Sequence, residues 1–220
     1  MIKVEYVSHM GTDLTTVNAA RISHGKEGDA SEEMSERDIH LIEYLARHKH
    51  MTPFEHQVLT VIVHCPLYIR SQIHRHRTFS YNEVSRRYSS DDIDFYLPEL
   101  SEVCVQSRTN HQGRDLPISR EEADRFISDL SKWLEQGHAM YNKWIGGGVA
   151  KETARAFLGV PLMTRFYMTG NLRNWAHFQG LRLDSHAQYE VRLIAQQADM
   201  ILTGLWPISY RALMRQENIS

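Results

Sequence analysis

Apolar and polar residues alternate from Met1 to Met10, with Ile2, Val4 and Tyr6 in step, and this period of two predicts a strand. The period then changes. Leu14, Val17, Ala20 and Ile22 recur at helical spacing behind Asp13 as a helix cap. Ser23 to Ala30 is polar, contains glycine and predicts a loop. From Ser35 to about Lys49, the spacing of Ile39, Ile42, Tyr44 and Leu45 predicts a helix opened by a Ser-x-x-Asp signal at Ser35 and Asp38. Val58 to Cys65 is rich in β-branched residues and predicts a buried strand ended by Pro66. Leu67 to about Thr78 reads as helix, with Ile69, Ile73 and His76 to one side. Residues 98–118 hold two prolines, a glycine and many polar groups, which predicts a connection rather than a linker between domains. Long helices are predicted over Arg120–Trp144, Ala150–Leu158, Asn171–Leu181 and Ala187–Leu205. The last carries Val191, Ile194, Ala195, Ala198, Ile201, Leu202 and Leu205 at core spacing, behind a Ser185-x-x-Gln188 capping box. Strands and helices together make the class α+β, with helices predominating.

Composition narrows the range of functions. A chain of 220 residues suits a single domain, 1–220, able to bury its own core. Two cysteines, Cys65 and Cys104, are too few for a disulfide scaffold and point to a reducing compartment. With 25 basic and 27 acidic side chains the net charge is -2, which argues against a bulk nucleic-acid or membrane-surface binder. No basic segment leads into an apolar run at the N-terminus, and the longest apolar-rich stretch, Val58 to Leu67, is far short of the ~20 residues of a membrane helix. A cytoplasmic protein is expected. The 13 histidines raise the question of metal or acid–base chemistry.

Charge is concentrated in one place. From Arg70 to Tyr88 the chain has arginines at 70, 75, 77, 86 and 87, with Glu83 as the acid among them. Arginine supplies planar, permanently charged, bidentate donors suited to phosphate. Phe79, Tyr81, Asn82, Ser85 and Tyr88 are interleaved, so the segment can stack on a ring and hydrogen-bond to it while holding a phosphate. At about 100° per residue, Arg70, His74 and Arg77 share one helical stripe while Tyr68, Gln72 and Arg75 share another. Either the helix breaks near His76, or Arg75 and Arg77 serve different ligands.

The run Arg75-His76-Arg77-Thr78-Phe79-Ser80-Tyr81-Asn82-Glu83-Val84-Ser85-Arg86-Arg87-Tyr88 resembles the signature of the flavin-dependent thymidylate synthases, Arg-His-Arg-x-x-Ser-x-Asn-Glu-x-Ser-x-Arg-Tyr, at every fixed position. The likeness continues in His50-Met51-Thr52-Pro53-Phe54-Glu55-His56, which resembles the family's His-x-Thr-Pro-Phe-Glu-His stretch. Glu152 and Arg155 resemble its Glu-x-x-Arg helix. Asn171-Leu172-Arg173 and Leu181-Arg182-x-Asp184-Ser185-His186-Ala187-Gln188 resemble its closing motifs. Matched blocks run from about Ala19 to Glu190.

This resemblance implies an α+β fold with a central, mostly antiparallel sheet flanked by long helices. It implies synthesis of thymidylate from deoxyuridylate (dUMP), with methylenetetrahydrofolate as carbon donor, FAD as hydride carrier and NADPH as reductant. It further implies a homotetramer whose active sites lie at subunit junctions. By matching positions, Thr52, Arg75, His76, Arg77, Glu83, Asn171, Leu172, Arg173 and His177 would bind FAD. Gln72, Arg75, Glu83, Ser85, Arg87, Arg155 and Arg182 would hold dUMP, and His50 would stand at the flavin and folate entrance. Arg182 corresponds to the catalytic arginine: a fixed cation beside uracil favours its N3-deprotonated form, and the electron-richer ring attacks the methylene carbon through C5. No base is evident beside Ser85, which favours a hydrogen-bonding role over a nucleophilic one. Cys65 belongs to the predicted core strand and is not expected to be a nucleophile.

Two rival readings fare worse. The pairs His48-x-His50 and His74-x-His76 suggest a metal hydrolase, but residues two apart on a helix diverge by about 200°, and no His-Glu-x-x-His set is present. No metal is expected. His9, His24, His40, His111 and His138 are expected to be structural or surface residues. A nucleic-acid-binding module would use the same arginines, yet no second basic element follows, and Asp91, Asp92 and Asp94 come directly after. Neither nucleic acid nor membrane is an expected partner.

Overall fold

A computed structural model describes residues 1–23, 25, 33–89 and 93–217. The elements in chain order are β1 (Lys3–Met10), α1 (Asp13–Ile22), α2 (Glu36–Arg47), β2 (Val58–Pro66), α3 (Leu67–Ile73), β3 (Ser80–Glu83), β4 (Cys104–Gln106), β5 (Arg114–Pro117), α4 (Arg120–Gly146), α5 (Lys151–Ala154), β6 (Met163–Asn171), α6 (Leu172–Arg182), α7 (Tyr189–Leu205) and α8 (Pro207–Glu217). They form two compact units. One comprises Met1–Ile2, His64–Arg75 and Glu83–Phe166, and the other Lys3–Val63, His76–Asn82 and Tyr167–Ser220. The expected loop at Ser23 to Ala30, with His24, falls outside the described residues except for Ser23 and Gly25, which lie in turns; Asp91 and Asp92 also fall outside the described residues.

Four strands form a sheet of order β1-β2-β6-β3. Within β2 the burial alternates, with Leu59, Val61 and Val63 fully buried and their neighbours half-exposed. The expected buried strand is therefore buried on one face only, as the period of two requires. Large rings are buried in the second unit: Trp175 of α6 donates its indole N–H to the Leu59 carbonyl of β2, and Trp206, between α7 and α8, donates to the Gly11 carbonyl. Buried polar groups need such partners.

Capping explains several boundaries. Ser35 accepts from the Asp38 amide and Asp38 returns a bond to the Ser35 amide, completing the expected capping box of α2. The cap of α1 is Thr12 rather than Asp13. Asp13 instead accepts from the amides of Ile208 and Ser209, at 3.2 and 2.8 Å, in the first turn of α8. At the far end of α2, Lys49 adopts φ 57°, the His50 amide donates to Leu45 O (2.9 Å) and the Lys49 amide to Ala46 O (3.1 Å). This is a Schellman stop with lysine where glycine is usual. Ser185 does not cap α7, which begins at Tyr189 after Gln188.

The first unit holds the long α4 packed on a cluster of Tyr141, Ala154, Leu158 and Leu162. Gly137 is required there, because a Cβ at that position would lie 2.5 Å from the Phe157 carbonyl. The predicted helix over Ala150–Leu158 is one turn of α-helix followed by a 3-10 turn, Arg155–Leu158, ended by Gly159 at φ +68°. The predicted connection at 98–118 contains the antiparallel pair β4–β5.

Candidate active site

The arginine-rich segment begins on α3, which stops at Ile73, and His74 and Arg75 form a turn. Five residues of the predicted helix are thus not helical, and of the two alternatives for Arg75 and Arg77 the first holds: the helix breaks before His76. The reason is Phe79. Its buried ring packs edge-on against Trp175, 4.8 Å between centroids, and over Gly170, where a Cβ would lie 2.5 Å from the ring. The chain then pairs as β3 instead of continuing to coil.

In the first unit, a cavity of about 600 Å³ is bounded by Arg70, Glu83, Ser85, Arg86, Arg155 and Thr164, among others. Glu83 accepts from Arg70 Nε at 3.1 Å and from Thr164 Oγ1 at 2.8 Å, so one carboxylate oxygen orients both neighbours. Ser85 Oγ accepts from the Arg87 amide at 3.3 Å, which makes it a turn-holding group. Arg87 pairs with Glu152 at 3.4 Å, and Arg155 Nε donates to the Glu152 carbonyl at 3.1 Å. Of the expected nucleotide ligands here, Glu83, Ser85 and Arg155 come together at this cavity. Gln72, Arg75 and Arg87 are not among its walls: Gln72 is half-buried on α3, while Arg75 and Arg87 are exposed. Arg70, Arg86 and Thr164 were not anticipated. The first two could have been taken from the arginine count; nothing in the sequence pattern marks Thr164.

In the second unit, Arg182, the last residue of α6, donates from Nε to His76 Nε2 at 2.9 Å. His76 is buried, with Phe178 edge-on at 4.8 Å and His177 at 6.4 Å between ring centroids. Burial first, then the Arg182 and His177 charges, push its pKa down to about 4. The imidazole is therefore neutral at pH 7 and free to accept. Burial also lowers the Arg182 pKa from its usual value.

Two further cavities flank α2 and the turn that follows it. One, of about 630 Å³, is lined by Lys49, Thr78, Arg173, Asn174 and His177. The other, of about 570 Å³, is lined by Arg21, Tyr44, His50, Thr52 and His56. Tyr44 and His50 lie nearly parallel, 6.2 Å between centroids and 14° between planes. The expected cofactor ligands thus divide, with Thr52 beside His50 in one cavity and Arg173 with His177 in the other. Asn171 serves as the cap of α6, accepting from the Asn174 amide, and Asn174 donates to Thr78 O. The Leu172 side chain is fully buried and its amide donates to Gln57 O. Arg77 is exposed. Lys49 is an addition that no motif suggested.

The model of the family described as "Thymidylate synthase complementing protein" matches residues 5–208. A flavin-dependent thymidylate synthase from Ehrlichia ruminantium (strain Gardel) is 40% identical over 212 residues, 96% of this chain and 70% of that protein. The chain belongs to the flavin-dependent thymidylate synthases. Another member of this family, from Thermotoga neapolitana, is 38% identical across 96% of the chain and 90% of its own length. Among solved structures, the UMP/dUMP methylase PolB from Streptomyces cacaoi bound with 5-Br dUMP superposes with a TM-score of 0.89 at 30% identity. That match covers 98% of this chain and 95% of the other. The α+β class and antiparallel sheet expected from the sequence agree with this family fold. Among the described residues, no helix is long and apolar enough to cross a membrane.

Proposed function

We propose that the chain converts dUMP to thymidylate, with methylenetetrahydrofolate as carbon donor, FAD as its flavin and NADPH as reductant. The observation that carries this reading is the cavity where Glu83 and Ser85 meet Arg155, far along the chain, beside Arg70 and Arg86. Its cationic lining suits a nucleotide phosphate, and its polar groups suit a pyrimidine edge. Gln72, Arg75 and Arg87 complete the dUMP ligands in the assembled enzyme, a homotetramer with sites at subunit junctions. The whole chain acts as one catalytic domain in the cytoplasm.

FAD fits the second unit's residues: Lys49, Arg173 and His177 bring cationic and donor groups to one cavity, and the flat Tyr44–His50 pair borders another. Thr52, Arg75, His76, Arg77, Glu83, Asn171, Leu172, Arg173 and His177 hold it, with His50 at the folate entrance. When bound, the flavin supplies the hydride that completes the methyl group.

Arg182 places its charge against the uracil edge and favours loss of the N3 proton, which raises electron density at C5. No enzyme nucleophile is needed for that attack. Ser85 Oγ is engaged by a backbone amide, and burial pushes the Cys65 thiol up to about 12.

The test is direct. Flavin-loaded protein given dUMP, methylenetetrahydrofolate and NADPH should form thymidylate and oxidise NADPH in a dUMP-dependent way. Protein that holds FAD but forms no thymidylate would overturn the reading, as would a preparation that takes up no flavin.

A further inference from the structure

We propose that His76 is the positioning residue of Arg182, fixing the guanidinium through Nε so that its two Nη groups meet the substrate end-on. This inference rests on the role given to Arg182 above and adds what holds it in place.

The hydrogen bond dictates a tautomer. A guanidinium N–H can only donate, so His76 Nε2 must be the bare nitrogen and Nδ1 must carry the proton. The ring and its backbone are both held. Phe178 packs against it edge-on, Tyr81 Oη donates to the His76 carbonyl at 2.9 Å, and the Phe79 amide donates to that carbonyl at 3.4 Å. Arg182, by contrast, ends its helix on a long side chain with several rotatable bonds. The rigid partner therefore sets the orientation of the flexible one.

The chemistry of the partner matters as much as its place. A carboxylate would orient a guanidinium equally well but would cancel its charge. Neutral imidazole orients it and leaves the full positive charge for the uracil anion. The groups facing His76 are the Arg182 and His177 side chains from α6, with the Tyr81 hydroxyl at its carbonyl, and the two α6 groups, with burial, disfavour an imidazolium. With Nε occupied, the side-on edge formed by Nε and one Nη is closed to ligands. The end-on pair of Nη donors remains, and two adjacent acceptors, such as N3 and a carbonyl oxygen of deprotonated uracil, complement it.

Substitutions by reach and a nitrogen spectrum test this together. The amide oxygen of His76→Gln falls near the place of Nε2, whereas that of His76→Asn falls near Nδ1 and cannot reach Arg182. In flavin-loaded enzyme saturated with dUMP, H76Q should stay within about fivefold of wild-type kcat, and H76N should fall about ten- to a hundredfold. NADPH-driven flavin reduction, measured in each variant, separates a loss at the FAD contact of His76 from a loss at Arg182. H76N combined with Arg182→Ala should be no slower than Arg182→Ala alone, within about twofold. Multiplying losses, an H76Q as slow as H76N, or an H76N of normal kcat would each overturn the proposal. Near-normal turnover in Arg182→Ala would instead defeat the role of Arg182 itself. Nitrogen-15 spectra of histidine-labelled holoenzyme at pH 7 give a readout that no variant's folding can spoil. His76 should show protonated Nδ1 and bare Nε2; a protonated Nε2 would end the idea.

Discussion

His76 and Arg182 stand 106 residues apart in the chain and 2.9 Å apart in space. Each was legible singly, from the signature and the closing motif, but their bond was not, because a motif carries residue identity and not the packing that joins two segments. Replacing Arg182 with alanine should leave flavin absorbance intact and cut thymidylate formation about a thousandfold, the scale on which a lost transition-state donor is felt. Stopped assays of product beside the flavin spectrum separate the two effects. Cysteine chemistry makes a second prediction at this scale. Cys65 is fully buried with its thiol pushed up to about 12, whereas Cys104 is partly exposed and its Sγ donates to Ser101 O. Thiolate is the reactive form. Iodoacetamide should therefore label Cys104 in native protein and reach Cys65 only after unfolding, as peptide mass analysis would show.

Elements with strong local signals were read correctly, and the misreadings have physical causes. The Ser35–Asp38 box opens α2 because both of its bonds are local. Asp13 is a different case: it precedes a helical pattern as a cap would, yet its carboxylate reaches across to the start of α8. Asp13→Ala should consequently cost about 1–2 kcal/mol, as loss of a helix cap does, through one buried and one partly buried amide left without an acceptor. Urea unfolding would show the loss, and a midpoint equal to wild type would contradict it. The helix expected to run from Leu67 to Thr78 yields at Ile73 because Phe79 needs the Trp175 and Gly170 surface, a tertiary demand that periodicity cannot display. Strand β6 was not predicted at all. Arg165, Thr169, Gly170 and Asn171 interrupt its apolar pattern, while Phe166 and Met168 provide its buried face.

For the molecule as a whole, a net charge of -2 concealed the clustering of Arg70, Arg86 and Arg155 around one cavity, so total charge was the wrong scale for a question about phosphate. The residues expected to bind the cofactor show the opposite limit: motif matching gave Thr52, Arg173 and His177, but not their division between two cavities. Global stability should carry the mark of His76. Its folded pKa of about 4 lies below the usual 6.5, so between those values the unfolded chain binds more protons than the native one. The contribution is whole above pH 6.5 and drains away as pH falls toward 4, at no more than about 1.4 kcal/mol per pH unit. Chemical denaturation between pH 4 and 7 should show that decline, reduced in H76Q. Lys49 carries a different consequence. A left-handed lysine costs about 1 kcal/mol that glycine would not, so Lys49→Gly should raise the unfolding midpoint while weakening flavin retention through the lost charge. Thermal melts and flavin titration of that variant should move in opposite directions. An improvement in both would mean that the lysine is mere inheritance; a divergence would make the helix stop of α2 a place where the enzyme forgoes durability to keep a cation beside its cofactor.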